Sequence, residues 1–169
     1  MKHRTHLFTA IAATVALTAV STADARQGSV RARGQNGVVA GSTGPNGTVV
    51  RGRSTVQNPD GSTTRRSGGA FVGANGRKGK AGASTTVAPD GTADRATQGS
   101  IDGPRGSASS SSNFQRGADG TWTGGRSSTV TNSGTGKTYS GTTTIDPATG
   151  KPVHSGTCTD AAGTVVDCR

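Results

Sequence analysis

Gly134-Thr135-Gly136-Lys137-Thr138 is the stretch whose residue types come nearest to a reactive motif, because a glycine-rich turn followed by lysine and a hydroxyl ends a phosphate-binding loop. The full motif needs a glycine at position 131, where this chain has Thr131. It also needs a buried strand before the loop and a helix after it, whereas both flanks here are polar and rich in Ser and Thr. The stretch therefore reads as a turn between two strands. Other chemistry-bearing residues are sparse after residue 25: one histidine, His154, no glutamate, and eight aspartates. Asp60, Asp90, Asp119 and Asp160 fall at turns, where bonding to nearby backbone accounts for them. They lack the alternating oxygen ligands of a calcium loop, and no His or Cys cluster has zinc spacing. The sequence predicts no catalytic residue, no metal and no cofactor, hence a protein that is not an enzyme.

Cys158 and Cys168 are the only cysteines. They flank a turn at Ala162-Gly163 and lack the Cys-x-x-Cys spacing of a redox site, so they are expected to form a disulfide stapling the terminal hairpin. Both numbers are even, so opposing them requires a loop centred on Gly163 or a bulge.

Charge is more informative. The chain carries a net charge of +10. Between residues 26 and 80 lie Arg26, Arg31, Arg33, Arg51, Arg53, Arg65, Arg66, Arg77, Lys78 and Lys80 against one acid, Asp60. From residue 81 onward seven basic residues balance seven acidic ones. A basic N-terminal half attracts polyanions in a salt-dependent way, and Arg31, Arg33, Arg51, Arg53, Arg65, Arg66, Arg77, Lys78 and Lys80 are the candidate contacts. The competing reading is that these charges solubilise exposed strands and block edge-to-edge association. Base-specific reading of nucleic acid is not expected, because Phe71 is the lone aromatic platform in the basic half.

The elements that would carry these residues are marked by turns. Gly47, Gly61, Gly76, Gly91, Gly106, Gly120, Gly136, Gly150 and Gly163 close turn-like tips at steps of 13 to 16 residues. Pro59-Asp60-Gly61 and Pro89-Asp90-Gly91 typify one class, and Pro45-Asn46-Gly47 and Pro104-Arg105-Gly106 the other. In x-Pro-Asp-Gly, proline presets φ for a type I turn and glycine takes the left-handed position of a three-residue hairpin loop with a bulge. Five of the six prolines sit at tips, where no ladder hydrogen bond is lost. Two alternating tip classes imply two ends of a stack. The pattern predicts an all-β fold, an antiparallel meander with a hairpin every 14–15 residues, with a β-solenoid as the alternative. Thr-x-Thr patterns such as Thr129-Val130-Thr131 and Thr142-Thr143-Thr144 show no fixed place per repeat, and β propensity explains them.

Apolar content is low. After residue 25 the chain has no Leu or Met, and its larger apolar residues are twelve Val, two Ile, two Phe, one Trp and one Tyr. No conventional core can form from these, and such composition is ordinarily a disorder signature. The modest charge per residue and the regular turn spacing oppose that reading.

Met1 to Ala25 has Lys2 and Arg4, an apolar run from Leu7 to Val20, and Ala23-Asp24-Ala25, the pattern of a secretory signal peptide. The run is short of the ~20 residues that span a bilayer. Residues 26–44 read as a basic Gly-rich leader or edge, 45–157 as the hairpin repeat, and 158–169 as the disulfide-closed hairpin. With its export signal, its Asn-Gly and Asp-Gly tips and its closing segment Cys158 to Cys168, the chain resembles small exported Gly/Ser/Thr-rich β-repeat proteins of Gram-negative bacteria. The resemblance implies periplasmic or extracellular location and adds no active site. The expected function is a structural or adhesive surface contacting anionic envelope or matrix polymers: polysaccharide, lipopolysaccharide or extracellular DNA, bound non-specifically. Self-association into extracellular fibrils is the alternative.

Overall fold

A computed structural model describes residues 27–168; the expected signal peptide lies outside them. Eleven strands follow one another: β1 Gly28–Gly34, β2 Gly37–Gly44, β3 Gly47–Gln57, β4 Thr63–Gly73, β5 Lys78–Val87 and β6 Ala93–Gly103. They continue with β7 Gly106–Arg116, β8 Trp122–Asn132, β9 Thr138–Ile145, β10 Pro152–Thr159 and β11 Val165–Val166. Every pairing is antiparallel, and spatial order equals chain order from β1 to β11. Each strand touches only its neighbours, so the sheet is a single open layer. The meander is the fold, and no solenoid coil occurs among the described residues. Residues 28–44, expected as a leader or an edge, supply two full strands, with β1 as the edge.

The turns explain this topology. All nine glycines that the spacing marks as tips take positive φ, from 67° to 142°, a region closed to most residues bearing Cβ. At the Pro59-Asp60-Gly61 tip, the Gly61 amide donates to the Asn58 carbonyl at 3.0 Å and the Asn58 amide to the Ser62 carbonyl at 2.8 Å. That is a three-residue loop closed by a left-handed glycine. The same pattern recurs at Ala88 to Thr92, Gly117 to Thr121 and Asp160 to Thr164. Pro45-Asn46 and Pro104-Arg105 make two-residue loops, with Gly44 opposite Gly47 and Gly103 opposite Gly106. Gly134-Thr135-Gly136 belongs to a four-residue loop: the Asn132 amide donates to the Lys137 carbonyl, and Asn132 Oδ1 accepts from the Gly134 and Thr135 amides. Strand β9 follows it, where a phosphate loop would have a helix.

With one layer there is no interior. Among the described residues Cys158 is the one buried apolar side chain, joined by Ser62 and Thr64 as buried polar ones. Cohesion comes from the backbone ladders and from hydroxyl pairs bridging adjacent strands, including Thr64–Thr86 at 3.0 Å, Thr97–Ser112 at 2.7 Å and Thr142–Ser155 at 2.8 Å. Each such pair contributes about 1 kcal/mol or less. Cys158 and Cys168 are disulfide-bonded with Cα atoms 5.2 Å apart. Cys158 faces Val166 in the ladder, so Cys168 reaches it from two residues beyond its register partner.

Candidate polyanion-binding face

Side chains alternate along a strand, and directly opposed residues share a face, so the ladder assigns every strand residue to one side of the sheet. Starting from Arg53, opposed to Val38 and Ser67, the assignment runs unbroken from β1 to β11. One side carries Arg31, Arg33, Arg51, Arg53 and Arg65, and further along Arg95, Arg116 and Arg126. No aspartate occupies a strand position on this side; Asp94 and Asp102 are on the other, where Asp102 lies 3.8 Å from Lys78. We call it the arginine face.

The sequence candidates are thereby divided. Arg31, Arg33, Arg51, Arg53 and Arg65 are brought together, whereas Arg66, Lys78 and Lys80 point to the opposite face and Arg77 lies in the turn before β5. Arg95, Arg116 and Arg126 extend the face into the charge-balanced half, and counting charge by chain half overlooked them. Parity along the chain does not find them, because odd-numbered Arg95 shares a side with even-numbered Arg116 and Arg126 only through the hydrogen-bonded register.

Arg31, Arg33, Arg53, Arg65 and Arg95 line one cavity of about 620 Å³ together with Thr55 and Thr85. Arg95 donates to Thr85 Oγ1 at 3.3 Å, and Arg126 Nε donates to Ser110 Oγ at 3.0 Å. Arg33 and Arg53 are separated by the width of β2, as are Arg31 and Arg51, so each pair is roughly 9.6 Å apart at the backbone. That spacing slightly exceeds the Debye length of about 8 Å in physiological salt, so repulsion between these exposed arginines is largely screened and their clustering carries little cost. Guanidinium groups at this spacing have the planar donor geometry that suits bidentate hydrogen bonding to carboxylate or phosphate oxygens.

All four aromatic side chains of the described strands also lie on the arginine face: Phe71, Phe114, Trp122 and Tyr139. Trp122 is 49% exposed. His154 shares this face, with Nε2 2.9 Å from the Tyr139 hydroxyl and Nδ1 3.0 Å from Thr143 Oγ1.

The opposite face is different in kind. Over β7–β10 three successive ranks are all Ser or Thr: Ser107, Thr131, Thr138 and Thr159; Ser109, Thr129, Ser140 and Thr157; and Ser111, Ser127, Thr142 and Ser155. Thr123, Thr129, Thr131, Thr142, Thr144, Thr157 and Thr159 all point this way. The threonines that looked out of register along the chain are therefore ranked in space.

Among the described residues no group of three or more His, Cys, Asp or Glu could hold a metal ion, and no helix is long and apolar enough to cross a membrane. Four turn carboxylates are held below the ordinary carboxylate range by hydrogen bonds. For Asp60 and Asp119 the leading donors are the Ser62 and Thr121 hydroxyls; for Asp90 and Asp146 they are the Thr92 and Ala148 amides.

Fold and surface together define an open, single-layer antiparallel meander with an arginine-rich face and an opposite face of mixed charge over β4–β6 and hydroxyl ranks over β7–β10. No protein-family model, curated protein or solved structure matches the chain.

Proposed function

We propose that this is a non-enzymatic, exported β-repeat protein whose arginine face contacts anionic envelope or matrix material. The observation that carries this reading is the gathering of eight arginines, with no strand aspartate, on one side of a single sheet. A purely solubilising role gives no reason for eight arginines without a strand acid on one side when the other side carries Arg66, Lys78 and Lys80 together with Asp94 and Asp102. Arg31 and Arg33 disfavour a dimer that pairs β1 with β1 of a second copy, because like charges would be set against each other.

The test is retention of the oxidised chain on immobilised polyphosphate. Retention that weakens linearly in the logarithm of salt is expected, with the joint substitution Arg51→Gln and Arg53→Gln eluting earlier than Arg66→Gln with Lys80→Gln, which removes the same charge. Elution at salt no higher than a neutral protein of the same size, or equal loss from both variants, overturns the reading.

A further inference from the structure

On the arginine face the rows of side chains across the strands differ sharply in size. One row passes through Gly69, Ala81, Gly99, Ser110 and Ser128, and forms a floor of very small residues that ends at Gly141, which the Tyr139 ring covers. The next row passes through Val49, Phe71, Gly79, Ile101, Ala108, Val130 and Tyr139; the Phe71 ring lies over Gly79, and the larger members form an apolar wall. A cavity of about 540 Å³ follows this trough, bounded by Val49, Phe71, Ile101 and Val130, with Arg51 and Arg126 at its margin. Side-chain size predicts it: Gly99 has only ordinary contacts around its Cβ position, so nothing fills the floor there.

This apolar trough adjoins the cationic cavity. Arg51 borders the trough and Arg53, two residues on along β3, borders the cationic cavity; Arg31, Arg51 and Arg53 together line a further cavity of about 450 Å³ between them. A simple polyanion would use the arginines and leave the apolar trough wet. A molecule with an anionic head and a long apolar chain uses both. From Val49 on β3 to Val130 on β8 the trough crosses five strand spacings, roughly 24 Å. An acyl chain of a membrane lipid spans about 15 Å, half of the bilayer's hydrocarbon thickness, and so fits within it.

We propose that the arginine face binds a single anionic amphiphile, its head group among Arg51, Arg53 and Arg65 and its acyl chain along Phe71, Ile101 and Val130. This rests on the polyanion reading of the same face and names the class of anion it takes. The occupant is one acyl-chain molecule withdrawn from its surroundings, and binding to an intact bilayer surface by charge alone is the outcome that the test separates from it.

The experiment is calorimetric titration of the oxidised chain with alkyl phosphates of eight, ten and twelve carbons, below their micelle concentrations, beside inorganic phosphate and dodecyl maltoside. Dodecyl phosphate is expected to bind at least tenfold more tightly than either control, with affinity rising about two- to fourfold per added methylene. Ile101→Thr with Val130→Thr keeps β-branched side chains and should weaken dodecyl phosphate at least tenfold while leaving polyphosphate retention unchanged. A flat chain-length series, or an unchanged affinity in that variant, overturns the amphiphile while retention on polyphosphate leaves the polyanion reading standing. Loss of both signals in the unmodified chain overturns both. Phosphatidylglycerol vesicles bound equally by the unmodified chain and the Ile101→Thr/Val130→Thr variant, with no binding of monomeric dodecyl phosphate, would show surface charge alone and also overturn the amphiphile.

Discussion

The ring of Phe71 covers Gly79, its directly opposed partner across β4 and β5; a β-carbon on Gly79 would stand 2.5 Å from the ring's Cε1 atom. Tyr139 covers Gly141 and Gly156 in the same manner. An aromatic ring laid over strand glycine shields backbone that a second layer would otherwise cover. In a sheet with no second layer, these contacts stand in for a core.

Gly79→Ala should therefore displace Phe71 and press on the Ser100 carbonyl, 3.0 Å from the new methyl. The expected cost is about 1–2 kcal/mol, as for other overpacked sites. Gly82→Ala is the control, since its nearest neighbour is the Ser67 carbonyl oxygen at 3.9 Å, and it should be neutral or slightly stabilising. Urea denaturation of the two variants measures the difference.

Gly124 is the one glycine of positive φ, 116°, that lies inside a strand and not at a turn or strand start. A methyl there would fall on the Asn113 carbonyl oxygen. Gly124→Ala should cost about 3 kcal/mol. Gly91→Ala, where φ is 85° with open space around it, should cost only about 1 kcal/mol for the left-handed conformation. Equal denaturation midpoints for the two would contradict this ordering.

Acid should loosen the turns. Asp60, Asp90, Asp119 and Asp146 have folded pKa values below their ordinary one, so they contribute stability that is present above the unfolded carboxylate pKa and is lost as pH falls below it through the lower folded values. Thermal midpoints should drop as pH is lowered through and below about 4. The joint substitution Asp60→Asn, Asp90→Asn and Asp119→Asn retains an acceptor oxygen without the charge. It should flatten that dependence.

Reducing the Cys158–Cys168 disulfide should act locally. The closed loop is short, and its loss is worth about 3 kcal/mol at most by chain entropy. The two-residue β11 would fray and bare the outer edge of β10. Amide hydrogen exchange should accelerate in β10 and β11 while β4–β7 stay protected; uniform acceleration would mean that the staple supports the whole sheet.

The tips were legible without any structure, because Pro, Asp, Asn and Gly carry their backbone preferences locally. Gly61 and Gly91 require nothing distant to adopt positive φ. The all-β meander and the closing disulfide followed from them, since short hairpin turns leave consecutive strands little choice but to pair. The face on which each residue falls was not legible in the same way. A three-residue loop, such as Pro59-Asp60-Gly61, leaves odd opposite odd; the two-residue loop Pro104-Arg105 and the four-residue loop from Ser133 to Gly136 place odd opposite even. Odd-numbered Arg65 and Arg95 thus share a side with even-numbered Arg116 and Arg126, while Arg66 faces away from Arg65. Counting charge along the chain finds a basic half. Folding converts it into a basic face, because hydrogen-bonded register, and not distance in sequence, decides which side chains meet.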